Sequence, residues 1–229
     1  MRRARQKSRV SAKVRSTFTR KLLAWWARAA RDLPWRRTRD PYRVLVSEFM
    51  LQQTQVSRVA EYYPRFLERF PDLQTLASAR PRAVREAWDG LGYYARASNL
   101  HALARVVSKD LDGTLPDKPK QLLQLPGVGP YTAGAVASFA YEKPVPAVDT
   151  NVSRVLRRAF FDRATGNGQR ATKVWELARA LVPKDGKRAW KFNQAIMELG
   201  ALVCKARAPN CGECPVQPIC KTGRRLGRR

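Results

Sequence analysis

The chain has 229 residues, 44% of them hydrophobic, and sets 45 Lys and Arg against 18 Asp and Glu for a net charge of +27. That hydrophobic share lies outside the disordered range, and the longest apolar run, Leu22 to Ala27, is far too short for a membrane span or the apolar core of a secretory signal. So large a positive excess repels itself unless a polyanion offsets it, which makes nucleic acid the first partner to consider and a membrane an unexpected one.

The chain opens on Arg2, Arg3, Arg5, Lys7, Arg9, Lys13, Arg15, Arg20 and Lys21 with no acid among them. Residues 1–21 are expected to be an unstructured basic arm, whether for phosphate contact, solubility or organelle targeting. Helical periodicity starts near residue 16 and runs almost to the end. The pattern predicts helices over about 16–31, 42–52, 55–69, 81–89, 94–109, 118–124, 131–141, 150–161, 171–182 and 189–203. Pro71, Pro81, Gly90, Gly113, Pro116, Pro126, Pro144, Pro146 and Gly166 separate them. No segment alternates long enough to make a sheet, so an all-α fold is expected. Residues 222–229 close the chain as a second basic tail.

Several segments carry candidate chemistry. Glu48 is the one charged residue in Val44–Leu51, and it either faces water or is partly buried with a raised pKa, fit to act as a general acid. The Gln52, Gln53, Thr54, Gln55 run follows, either a solvated helix end or amides able to enter a base stack. Gly90-Leu-Gly-Tyr-Tyr-Ala-Arg96 offers Tyr93 and Tyr94 for stacking, or one ring for the core and one for the surface. In Leu125-Pro-Gly-Val-Gly129, Gly127 and Gly129 allow a tight turn before a helix whose first N–H groups suit a phosphate, though a plain connecting turn has the same pattern. Asp149 opens the next helix as an N-cap, and the helix N–H groups are expected to keep it ionised. Four cysteines follow as Cys204-x6-Cys211-x2-Cys214-x5-Cys220. That spacing allows either zinc or a [4Fe–4S] cluster, with disulfides a poor third.

Taken with Leu33-Pro-Trp-Arg36, Ser47–Val56, Val148-Asp-Thr-Asn-Val152 and Phe192-Asn-Gln-Ala195, these motifs resemble the helix-hairpin-helix DNA glycosylases of the endonuclease III superfamily. The A/G-specific adenine glycosylases of the MutY type look most similar, over roughly residues 25–221. The resemblance implies two helical subdomains flanking a DNA-binding cleft. One is a six-helix subdomain over about 42–148. The other is a cluster subdomain from about 22–41 and 149–221. It implies a [4Fe–4S] cluster on Cys204, Cys211, Cys214 and Cys220. It implies Glu48 as the acid that protonates adenine and Asp149 as the carboxylate that stabilises the oxocarbenium sugar, with Tyr131 and Asn151 as polar partners. Gln53 and Tyr93 match residues that enter the base stack. Arg36, Thr54, Leu91, Gly127 and Gly129 complete the expected DNA contacts.

Tyr131 stands where the strand-cutting members carry a Schiff-base lysine, so a monofunctional glycosylase is expected. The expected partner is double-stranded DNA with a mismatched or oxidised base pair, bound by a monomer inside the cell. Two departures bear on the substrate. The chain stops soon after Cys220, where longer adenine glycosylases continue into a domain that reads 8-oxoguanine, and Thr150 stands where adenine-specific members often have Gly. Thymine glycosylases of T:G mismatches share Tyr131 and a short chain, which makes T:G or U:G excision the alternative. A DNA-binding protein without catalysis is the third reading, and the presence of both acids argues against it.

Overall fold

The structure is a computed structural model that describes residues 10–161 and 167–226. In chain order its helices are α1 (Ala12–Ala29), α2 (Pro41–Leu51), α3 (Val56–Arg69), α4 (Leu73–Ser78), α5 (Pro81–Ala87), α6 (Ala95–Asp110), α7 (Pro119–Leu122), α8 (Pro130–Phe139), α9 (Thr150–Phe160), α10 (Asn167–Leu181), α11 (Gly186–Leu202) and α12 (Lys221–Leu226). Single 3-10 turns occupy Pro34–Arg36 and Gln217–Ile219. No strand occurs among the described residues, and no helix there is long and apolar enough to cross a membrane.

Short side chains start several of these helices. Ser11 accepts from the Val14 N–H at the head of α1, Asp40 from Arg43 N–H at α2, Asp72 from Thr75 N–H at α4 and Asp149 from Val152 N–H at α9. Each satisfies one of the donors that a helix N-terminus leaves over. Proline at the first position of α2, α5, α7 and α8 removes another. The helix α4 was not expected from the sequence. Its six residues are too few to show a period, and the Asp72 cap with buried Leu73 and Leu76 holds it.

Part of the stretch expected to be an unstructured basic arm is helical. Residues 1–9 lie outside the described residues, but α1 starts at Ala12, inside the stretch assigned to the arm. Phe18 and Leu22, four apart, are fully buried, and that apolar stripe overrides the surrounding charge. The tail assigned to 222–229 likewise starts as α12, with residues 227–229 outside the described part.

Two compact units result. The middle unit is Arg31–Ala147 with Lys184–Trp190. The flanking unit takes the described parts of Met1–Ala30, Val148–Pro183 and Lys191–Arg229. The stretch 22–41, expected whole with the cysteine loop, is therefore divided after Ala30. Aromatic packing shows why. Trp35 sets its ring edge-on to Tyr63 at 5.7 Å in the middle unit, whereas Phe18 lies 5.1 Å from Phe160 and 6.4 Å from Phe192 in the flanking unit. The middle core is built on Trp88, Phe66, Phe49 and Leu45 with the leucines of α6, and Phe66 meets Trp88 edge-on at 5.7 Å.

Candidate active site

In the middle unit, Glu48 sits on α2 among Val44, Leu45, Val46, Phe49 and Met50, all buried, and is itself 3% exposed. The water-facing alternative for this acid is thus excluded. α2 packs on α8, the helix that carries the half-buried Tyr131 at its second position. Gly129 caps α8, and the chain enters it from α7 through a turn closed by Val128 N–H to Leu125 O at 3.2 Å. Gly127 has φ +72°, and a Cβ there would fall 2.7 Å from Asn99 Cβ and 3.0 Å from the Phe49 ring. Only glycine suits both the backbone and the space. Helix, hairpin and helix follow one another as the motif predicts.

α2 ends at Leu51, and the polar run after it leaves the helix at once. Gln53 is exposed with φ +57°, and Thr54 is half-buried with its hydroxyl donating to Gln52 O at 3.4 Å. Tyr93 is 61% exposed with φ +47°. Leu91, expected among the DNA contacts, is instead 5% exposed and turned into the core. Arg36, in the turn after Leu33, donates to Arg31 O at 3.0 Å.

In the flanking unit, Asp149 caps α9. Its Oδ1 accepts from Val152 N–H at 2.6 Å and its Oδ2 from Asn151 Nδ2 at 2.9 Å. Burial pushes its pKa up. The Val152 N–H, the Asn151 amide, the Arg154 charge and the Asn151 N–H all pull it down and do not offset the burial. The helix N–H groups expected to favour the ionised form do pull in that direction, and desolvation outweighs them. The network continues outward. Arg154 donates through Nη2 to Asn151 Oδ1 at 2.6 Å and to Gly200 O at 2.7 Å, and through Nε to Cys204 O at 2.8 Å.

All four cysteines line one cavity of about 310 Å³, counting its open mouth, together with Arg158, Val203, Pro209, Asn210, Gln217, Thr222 and Gly223. Arg158 donates to Cys204 Sγ at 3.3 Å and to the carbonyls of Cys204, Lys205 and Ala206, while Gly223 N–H donates to Cys220 Sγ at 3.2 Å. Burial pushes the Cys214 thiol up to about 11 and raises Cys211 and Cys220 in the same direction. A bound metal reverses that balance, because a coordinated thiol is deprotonated outright. Among the described residues no three such side chains gather closely enough for one ion. A zinc site needs four sulfurs about 2.3 Å from a single point. A cubane cluster takes one cysteine per iron, so its ligands surround a volume. The thiols lining an open void, with N–H donors aimed at two sulfurs, fit the cluster.

Three arginines were missing from the expected site: Arg96, Arg154 and Arg158. Arg154 and Arg158 lie four apart on α9, one helical face below Asp149, and that spacing was the available signal. Arg96 ends the Gly90–Arg96 motif, yet nothing in the sequence indicates what it holds.

A family model described as the HhH-GPD superfamily base excision DNA repair protein matches residues 46–196, and one for the iron-sulfur binding domain of endonuclease III matches residues 204–220. Adenine DNA glycosylase of Rattus norvegicus is 46% identical over 226 residues, covering 93% of this chain and 43% of that protein. Adenine DNA glycosylase of Mycolicibacterium smegmatis is 48% identical over 196 residues, covering 85% of this chain and 66% of that protein. The chain thus spans about two-fifths to two-thirds of these relatives. A solved structure described as a thermostable thymine-DNA glycosylase superposes with a TM-score of 0.86 at 34% identity, covering 93% of this chain and 98% of that one.

Proposed function

The chain belongs to the HhH-GPD superfamily of base excision DNA repair proteins, and on that premise we propose that it excises adenine mispaired with G or 8-oxoguanine from duplex DNA. Residues 204–220 are an iron-sulfur binding domain. Cys204, Cys211, Cys214 and Cys220 would hold the [4Fe–4S] cluster, which when bound cross-links the loop.

The observation that carries the reading is the contrast between two carboxyls, one enclosed on an apolar helix and one anchored at a helix N-terminus by two donors. Hydrolysis of an N-glycosidic bond needs one acid to protonate the leaving base and one carboxylate to face the cationic sugar. Glu48 is the proton donor to adenine, and enclosure is the condition under which enzymes keep a carboxyl protonated near neutrality. Asp149 faces the oxocarbenium ion. Its Oδ1 and Oδ2 are fixed by Val152 and Asn151, so it need not reorganise as charge develops. Tyr131 lends polarity beside the base, and a phenol forms no Schiff base, so the strand is left uncut. Gln53 and Tyr93 enter the stack as the nucleotide is turned out, and the Gly127–Gly129 hairpin grips phosphate. The protein acts as a monomer. Adenine is favoured over other bases by the 46–48% identity to relatives named adenine DNA glycosylase.

A second reading, excision of T or U opposite G, draws on the neighbour described as a thymine-DNA glycosylase, which the chain covers almost completely. End-labelled duplexes carrying A:8-oxoG, A:G, T:G or U:G, incubated with the protein and treated with hot alkali, separate the two. Cleavage of the adenine strand alone, absent without alkali, is the expected result, and cleavage of the T or U strand moves the substrate to the second reading. Glu48→Gln and Asp149→Asn are each expected to lower excision by at least about 100-fold while leaving duplex binding within a few-fold. Full excision by either variant removes it from the mechanism.

A further inference from the structure

The last turn of an α-helix leaves its carbonyls without intrahelical partners. At the end of α2 they are met by a side chain from another helix. Arg96, on α6 and 7% exposed, donates through Nη1 to Phe49 O at 3.0 Å, Met50 O at 2.7 Å and Gln52 O. The same guanidinium donates through Nη2 to Leu91 O and Gly92 O, both at 3.0 Å, and through Nε to Tyr93 O at 3.4 Å. Its five N–H groups therefore serve six carbonyls on two segments that are remote in sequence. The group lies 5.4 Å from the Trp88 ring centroid and 5.6 Å from that of Tyr93.

Each of the two segments ends in an exposed residue with left-handed backbone, Gln53 at φ +57° and Tyr93 at φ +47°. Such conformations are unfavourable outside glycine and persist only where the surroundings over-determine them. Arg96 supplies that restraint from inside, and Arg58 adds to it at the outer end of the second loop, donating to Gly90 O at 2.6 Å. A lysine could not do the same, since an ammonium is a point donor and not a planar fork.

We propose that Arg96 is a positioning residue that fastens the Gln53 and Tyr93 tips into one preformed wedge, so that both enter the base stack together when a nucleotide is turned out. The inference rests on the reading that this chain acts on flipped bases. A preformed wedge loses little freedom at the moment of entry, whereas two loose tips must be ordered against the opening of the stack. Arg96 touches neither base nor phosphate in this scheme, so its loss should spare general duplex affinity and slow extrusion.

The test uses the full iron-loaded chain and the variants Arg96→Lys and Arg96→Met, with folding checked by melting and by the visible absorption of the cluster. A duplex with 2-aminopurine beside the adenine opposite 8-oxoguanine reports extrusion by fluorescence. In both variants the fluorescence rise and single-turnover excision are expected to fall together by about 100-fold, the scale of an ångström-size misplacement. Affinity for an undamaged duplex is expected to stay within about threefold, because phosphate contacts carry it. An unchanged rate of extrusion, or a matching loss of undamaged-duplex affinity, overturns the proposal. If the wild-type protein excises nothing from any duplex, the functional reading fails by itself. The wedge is then decided on the free wild-type protein, as it is if the variants do not fold. Backbone 15N order parameters of Gln53 and Tyr93 within the spread of α2 and α6 are expected, and values below that spread overturn it.

Discussion

The Asp149 carboxylate accepts from Val152 N–H and Asn151 Nδ2, yet burial still raises its pKa above the ordinary value. The native state then holds the proton over a pH range in which the unfolded chain has released it. Stability from this group is full below the unfolded value of 3.8 and is lost as pH rises through the folded pKa. An asparagine at this position does not titrate. Relative to Asp149→Asn, the wild-type protein should therefore lose stability as pH is raised from about 3.5 to 7, by about 1.4 kcal/mol per unit of pKa difference. Melting of both proteins across that range checks it, and a pH-independent difference contradicts it.

Among the elements, α1 was legible only in part: periodicity predicts a helix from about residue 16, while α1 starts at Ala12, inside the stretch read as an arm. Its basic residues suggest an arm, while Phe18 and Leu22 commit it to a core. Phe18 is fully buried against the rings of Phe160 and Phe192. Phe18→Ala is therefore expected to cost about 3–5 kcal/mol, read as a lower urea midpoint with an unchanged slope. A loss under about 1 kcal/mol would mean that α1 is an appendage. α9 was far more legible, since a capping acid, an apolar period and a following arginine pair are all local features. What α9 supports was hidden. Arg154 and Arg158 reach the carbonyls and thiol around Cys204, and only the fold makes those atoms neighbours.

For the whole molecule, a net charge of +27 sets the terms of any encounter with DNA. Each phosphate neutralised releases counterions, so affinity falls as salt rises. Arg2, Arg3, Arg5, Lys7 and Arg9 precede the described residues. Removing residues 1–9 is expected to make the slope of log K against log salt shallower by up to about 4.5, at about 0.9 per lost phosphate contact. The single-turnover excision rate at saturating DNA should not change. A slope that does not move assigns these cations no contact with the duplex.

Helical class, most helix positions, the capping role of Asp149, the hairpin glycines and the spacing of four thiols were all determined by the sequence alone, because each depends on residues within a turn or two of one another. Tertiary structure decided that Glu48 is enclosed, that Leu91 points inward, that burial outweighs the cap at Asp149 and that one guanidinium joins two distant loop tips. Those outcomes are sums over atoms brought close only by folding: desolvation depends on every neighbour, and a buried cation takes whichever carbonyls the packed helices present to it.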